Sequence, residues 1–129
     1  MVLEISSAVL DAIVADANAS PAREVCGLLF GSRARVTAGL ACRNVAEDPA
    51  DSFEVDPRAL IAAHRAARAR GPEIVGCYHS HPNGSTKPSL RDLVAAEDGA
   101  IWLIVAAGEI GLWQAASGRF EPLAFARAD

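Results

Sequence analysis

Residues 73 to 81, Glu-Ile-Val-Gly-Cys-Tyr-His-Ser-His, form an apolar run that stops at Pro82-Asn83-Gly84-Ser85-Thr86-Lys87-Pro88. The run has strand length and lies between turn signals, which predicts a central strand. Two prolines and a glycine then rule out regular structure, so residues 82 to 88 must be a loop. Ser89 opens a short helix, Ser-Leu-Arg-Asp-Leu-Val-Ala-Ala-Glu. A strand, an irregular loop and a helix thus follow one another, and the fold must accommodate all three.

The rest of the chain supplies the other layers. Val9, Leu10, Ile13, Val14 and Ala17 recur at helical spacing and predict a helix over 6–18, capped by Ser6 or Ser7. Ser20-Pro21 ends it. Residues 24–31 read as a buried strand, and Gly31-Ser32 turns the chain into a second strand over 35–44. Residues 46–52 are polar and predict a loop. Asp56-Pro57 starts a helix that runs to Arg70 and stops at Gly71-Pro72. Three further strands are expected at 101–106, 110–116 and 120–125, joined by turns at Gly108 and Ser117-Gly118 as a meander. Mixed helices and strands, with hairpins at both ends of the sheet, predict an α/β or α+β sandwich built on a mixed sheet. At 129 residues, with no repeat and no linker, the chain reads as a single domain, 1–129.

Composition removes several classes of function. Apolar residues make up 51% of the chain, enough for a hydrophobic core. A net charge of −4 argues against an extended nucleic-acid surface, which needs a basic excess. The arginines of residues 58–70 read as a solvated helix face. The N-terminal stretch is acidic and has no unbroken apolar core, so it does not read as a signal peptide, and no apolar run is long enough to span a bilayer. The expected location is the cytoplasm. Cys26, Cys42 and Cys77 are odd in number, widely spaced and form no CxxC, which argues against both a disulfide framework and an all-thiolate zinc site. Cys26 and Cys77 read as buried small hydrophobes.

The chemistry lies in residues 79–92. Side chains at i and i+2 of a strand share a face, so His79 and His81 at a strand end can converge on one ion. Asp92, in the first turn of the next helix, can be brought back over that end by the loop. Two imidazoles and a carboxylate suit zinc, and three protein ligands leave a fourth position for water, the pattern of a catalytic site. Zinc lowers the pKa of such a water toward ~7. A nearby carboxylate that does not bind the metal could move its proton, and Ser89 could donate to a developing oxyanion. Each part alone is ordinary. An HxH pair is usually not a metal site, Ser89-x-x-Asp92 is also a helix capping box, and Glu24 carries no signal in isolation. The succession of parts is what carries weight.

His79-Ser80-His81-Pro82, seven positions, and then Ser89-x-x-Asp92 resembles the full signature of the JAMM (MPN+) zinc metalloproteases. Glu24, in Arg-Glu-Val-Cys-Gly-Leu-Leu-Phe-Gly, matches the family's upstream glutamate, which lies on the first strand just after the first helix. The similarity runs from about Glu4 to the last strand. It implies that His79, His81 and Asp92 bind one Zn2+ with a bound water, that Glu24 is the general acid/base, and that Ser89 stabilises the oxyanion. It also implies a curved mixed sheet between helices, the JAMM/MPN fold, related to that of the cytidine deaminases. Family members cleave peptide or isopeptide bonds after the Gly-Gly tail of ubiquitin-like proteins, and small bacterial members resemble enzymes that process sulfur carriers. A ubiquitin-like or sulfur-carrier protein is therefore the expected partner, with no nucleic acid and no membrane. A zinc-holding scaffold and a DNA-repair-linked relative are the alternatives. A nucleoside deaminase would need HxE and PCxxC, and neither is present.

Of the remaining residues, Cys77 is expected to be a buried neighbour of His79, and His64 an exposed helix residue without a catalytic role. Trp102 and Trp113 are expected in the core or on a sheet face. Asn83-Gly84 should make the loop's turn, and Ser80 should point away from the ligands toward nearby backbone.

Overall fold

The computed structural model describes residues 2–129. In chain order the elements are β1 (Val2–Ser6), α1 (Ser7–Ala19), β2 (Cys26–Gly31), β3 (Arg35–Cys42), α2 (Pro57–Arg68), β4 (Ile74–Ser80), α3 (Leu90–Ala95), β5 (Ile101–Ala106), β6 (Glu109–Ala116), β7 (Arg119–Pro122) and β8 (Ala124–Ala128). The strands form one mixed sheet in the order β7-β6-β5-β4-β2-β3-β1-β8. As its composition predicts, β4 is central. It runs antiparallel to β2 and parallel to β5.

Gly76 shows how tightly this centre is closed. A Cβ there would lie 1.8 Å from the Ile101 carbonyl oxygen of β5, so only glycine allows the two strands to meet.

The helices cover opposite faces. Val9, Leu10 and Ile13 of α1 pack with Leu3, Ile5, Leu29, Val36, Tyr78, Leu103 and Val105. On the other face Leu60 and Ala63 of α2 pack on Leu28, Phe30 and Ile74. Asp56 caps α2 by accepting the Arg58 N–H, and Pro57 takes the first helical position, as expected. The arginines of α2 are exposed.

Four expectations need correction. The first five described residues form β1, which was not foreseen. Its short alternating pattern is buried by α1 on one side and has partners only from β3 and β8, distant in sequence. The last strand is not one segment over 120–125. It breaks at Leu123, whose N–H bonds the Leu112 carbonyl, so β7 completes the meander while β8 crosses to pair in parallel with β1. The β2–β3 hairpin therefore lies inside the sheet, and hairpins do not form both ends. At α1, Ser6 holds the cap position without a side-chain cap bond.

Candidate active site

The candidate site residues meet at the end of β4 where it leaves the sheet. His79 lies within β4, and His81, one residue past it, still bonds strand-fashion to the Val105 carbonyl through its own N–H (3.0 Å). This persistence of ladder geometry sends both imidazoles to one face. The loop turns at once: Gly84 N–H bonds the His81 carbonyl, Asn83 Oδ1 accepts the Ser85 N–H, and Gly84 takes a left-handed φ of 82°. Trp113 of β6 anchors the far side of the loop by donating its indole N–H to the Thr86 carbonyl (2.9 Å).

Ser89 then caps α3 with a complete capping box. Its Oγ accepts the Asp92 N–H at 3.1 Å, and Asp92 Oδ2 accepts the Ser89 N–H at 2.9 Å. The ordinary reading of Ser89-x-x-Asp92 is thus true, and it also serves the site. The box aims Asp92 Oδ2 at His79 Nε2 (3.1 Å) and His81 Nε2 (3.2 Å), which are 3.0 Å from each other. Four ligands around a zinc at about 2.1 Å stand roughly 3.4 Å apart, so this triangle is close to one face of such a polyhedron.

The donor set fits a cation on a second ground. His81 Nδ1 lies 2.8 Å from the Ser85 carbonyl, which can only accept, so Nδ1 carries a ring proton and Nε2 is left to share a proton with Asp92 or to turn its lone pair on a cation. That lone pair faces the Asp92 carboxylate and the other imidazole. Only a shared proton or a metal ion reconciles three such atoms.

Burial works against the charged form of His81, but the hydrogen bonds to Asp92 and Ser85 outweigh it and raise its pKa above the ordinary value. Burial pushes His79 the other way and keeps its ring neutral. Burial opposes ionisation of Asp92 as well, yet the two histidines and the Ser89 N–H hold its carboxyl well below the usual range.

Glu24 completes the group. It lies between α1 and β2, two positions before the strand that was expected to include it, because the chain enters the β2 ladder only at Cys26. Its carboxylate lies within 4.8 Å of the ligand atoms of His79 and His81. Burial, reinforced by Asp92 and Asp51 and opposed by His81 and Arg91, pushes its pKa up to about 7. Glu24 Oε1 is buried without a hydrogen-bond partner among the described residues, as is His79 Nδ1, and an orphaned buried carboxylate oxygen fits a site that takes up an ion. Of the two carboxylates, Asp92 is the one ionised and in contact with both imidazoles, so it suits a ligand. Glu24 exchanges its proton near neutrality, as a base must.

Ser80, between the two histidines, points to the opposite side as expected. Its Oγ accepts the Val25 N–H (2.8 Å) and donates to the Arg23 carbonyl (3.4 Å), bracketing Glu24 from both sides in the chain. Trp102 is core, as expected, and also walls the site. Its ring meets His79 edge-on at 5.3 Å and Phe53 at 5.4 Å. Phe53 stacks on His79 with ring centroids 4.3 Å apart. Neither Phe53 nor Asn44, described below, carries a sequence signal, because Asn44 reads as the last residue of the second strand and Phe53 lies just past the polar loop of 46–52. Cys77 is half-buried and neutral, since burial raises its thiol pKa, which suits a neighbour of the site rather than a ligand. His64 is exposed on α2. All three cysteines are free.

Residues 6–117 match the family of prokaryotic homologs of the JAB domain. The chain belongs to this family. The resemblance in its motif is thereby borne out as JAB/JAMM membership across most of the chain. A desampylase of Haloferax volcanii is 41% identical over 91 residues, covering 68% of this chain and 66% of the relative. A Thermus thermophilus protein named a probable TtuB-protein conjugate cleaving protease is 35% identical over 68 residues, covering 53% of this chain and 46% of its own length. The alignments thus span just under two thirds and just under half of these relatives. A JAB1/MPN domain protein from Archaeoglobus fulgidus superposes with a TM-score of 0.64 at 21% identity, over 97% of this chain and 98% of the other. The expected JAB/MPN sheet-and-helix fold is therefore correct. Among the described residues no helix is long and apolar enough to cross a membrane.

Proposed function

We propose that this JAB-family chain is a zinc-dependent peptidase or isopeptidase that hydrolyses the bond after the Gly-Gly tail of a ubiquitin-like or sulfur-carrier protein. The observation that carries this reading is the convergence of His79 Nε2, His81 Nε2 and Asp92 Oδ2 at 3.0–3.2 Å beside the buried carboxyl of Glu24. The names of the two relatives, a desampylase and a conjugate cleaving protease, support the substrate class.

In this reading His79, His81 and Asp92 hold one zinc. When bound, the ion supplies Lewis acidity that makes water a nucleophile near neutral pH. Glu24 takes the proton of the attacking water as its oxygen adds to the terminal glycine carbonyl. It then passes that proton to the amine nitrogen as the carbon–nitrogen bond breaks. Its pKa of about 7 suits both transfers. Ser89 Oγ uses a lone pair to accept the Asp92 N–H, which leaves its own proton for the oxyanion. A glycine tail fits because only glycine lets the backbone approach so narrow a cleft. The whole of residues 1–129 would act as one catalytic domain. Work in the cytoplasm suits three free cysteines, which stay reduced there.

Elemental mass spectrometry on gently purified wild type and Asp92→Ala tests the metal, with about one zinc per chain expected in the first and none in the second. Cleavage of Gly-Gly-tailed carrier fusions tests the chemistry. Glu24→Gln should keep its zinc and lose cleavage; a wild type that holds zinc, cleaves no such fusion and works equally well with Glu24→Gln would point instead to a scaffold.

A further inference from the structure

We propose that Asn44 is a positioning residue that sets Glu24 against His79 by closing the loop that holds both. The inference rests on the proposed hydrolase reading for its kinetic arm only.

Asn44 follows β3 and forms an isolated bridge with Val55. Its side-chain amide has two donor and two acceptor sites, and all four are used. Nδ2 donates to the Glu24 carbonyl (2.9 Å) and to the Ser52 carbonyl (3.0 Å). Oδ1 accepts the Ala46 N–H (3.0 Å) and the Glu54 N–H (3.1 Å). With the Val45 N–H to Glu54 carbonyl bond (2.9 Å), the amide closes residues 46–53 into a compact loop with a tied neck.

That loop touches the site twice. The Pro49 carbonyl accepts the Glu24 N–H at 2.6 Å. Phe53 stacks on His79 at 4.3 Å. Glu24 is therefore gripped at its N–H by the loop and at its carbonyl by Asn44, while the same loop lays an aromatic face on a metal-binding imidazole. No other natural side chain as short as this one offers two donors and two acceptors together. An aspartate keeps the acceptors and loses both donors, including the bond to Glu24. Since a shift of about 1 Å in a reacting group can cost on the order of 100-fold in rate, loosening this tie should act on turnover.

The test compares Asn44→Ala with Asp56→Ala, a variant that lowers stability by losing the α2 cap, a side-chain bond to the Arg58 N–H that involves neither Glu24 nor Asn44. Both should melt earlier. Only N44A should lower kcat for a Gly-Gly-tailed carrier fusion, by about 10- to 100-fold, with KM within about threefold. Histidine-selective NMR on the zinc-free protein gives a second readout independent of activity. The His79 ring protons, shielded by the Phe53 face, should move downfield in N44A and stay put in D56A. If N44A fails to fold, N44D carries the same test. A kcat equal to that of D56A with an unmoved His79 signal would reduce Asn44 to a stability role and overturn the proposal. Should the wild type cleave no such carrier, the hydrolase reading fails while the NMR comparison still decides the role of Asn44.

Discussion

Replacing Glu24 by glutamine should make the metal-free protein more stable relative to wild type as the pH rises. The Glu24 carboxyl is 5% exposed, and one oxygen has no hydrogen-bond partner among the described residues. Folding carries its pKa from an ordinary 4.5 to about 7. The folded state thus binds this proton more tightly than the unfolded chain. The stability linked to Glu24 is complete below 4.5 and is lost as the pH rises through about 7. Each tenfold in proton affinity is worth about 1.4 kcal/mol, so ionised Glu24 costs the fold up to roughly 3 kcal/mol. Most of that develops between roughly pH 5 and pH 8. Glutamine has the shape of the protonated acid and does not titrate. Asp92 and the histidines remain in both proteins, and their linkage largely cancels in the difference. Urea unfolding of both proteins in EDTA, at about pH 5 and pH 8, measures it directly. The stability difference should move by about 2 to 3 kcal/mol in favour of the variant at the higher pH. Saturating zinc should shrink that change, because a cation stabilises the carboxylate. A difference that does not change with pH in the metal-free proteins would refute the buried, unpartnered state of Glu24. A cost of this size at the proposed acid/base is the stability–activity trade-off that such a role predicts.

Three further outcomes follow from the same geometry. Ser89→Ala removes the side-chain cap of α3 and should cost about 1 kcal/mol in chemical unfolding; if its hydroxyl serves the oxyanion, kcat should also fall by about 100-fold. Gly76→Ala forces a Cβ into the Ile101 carbonyl and should destabilise by about 3 kcal/mol or more, seen as loss of folded protein on expression or a sharply lowered Tm. Asp92→Ala should lose both its zinc by elemental analysis and half of the capping box, so its α3 amides should exchange faster than those of wild type.

Local chemistry was well written in the chain. The Asp56-Pro57 start of α2, the 101–106 strand, the Asn83-Gly84 turn and the Ser89–Asp92 box all depend on residues within a few positions of one another. Propensity and spacing therefore reach them. The pairing of β1 with β8 was not legible, since it joins the two ends of the chain and leaves no local trace. The same limit hid Asn44 and Phe53. Asn44 reads as the end of the second strand and Phe53 as a residue beside a polar loop, while their partners, Glu24 and His79, lie 20 and 26 residues away.

By itself, the sequence determined which atoms could hold a metal. Two histidines at i and i+2 of a strand, and an aspartate at the third position of a capped helix, are constrained by backbone geometry wherever they occur. Tertiary structure decided what kind of site they make. It brought Glu24 across the β2–β4 pairing, stripped its carboxyl of solvent and partner, and laid Phe53 over His79. A pKa near neutrality comes from burial and from neighbouring charges that only the folded chain assembles, so it has no expression in the order of residues.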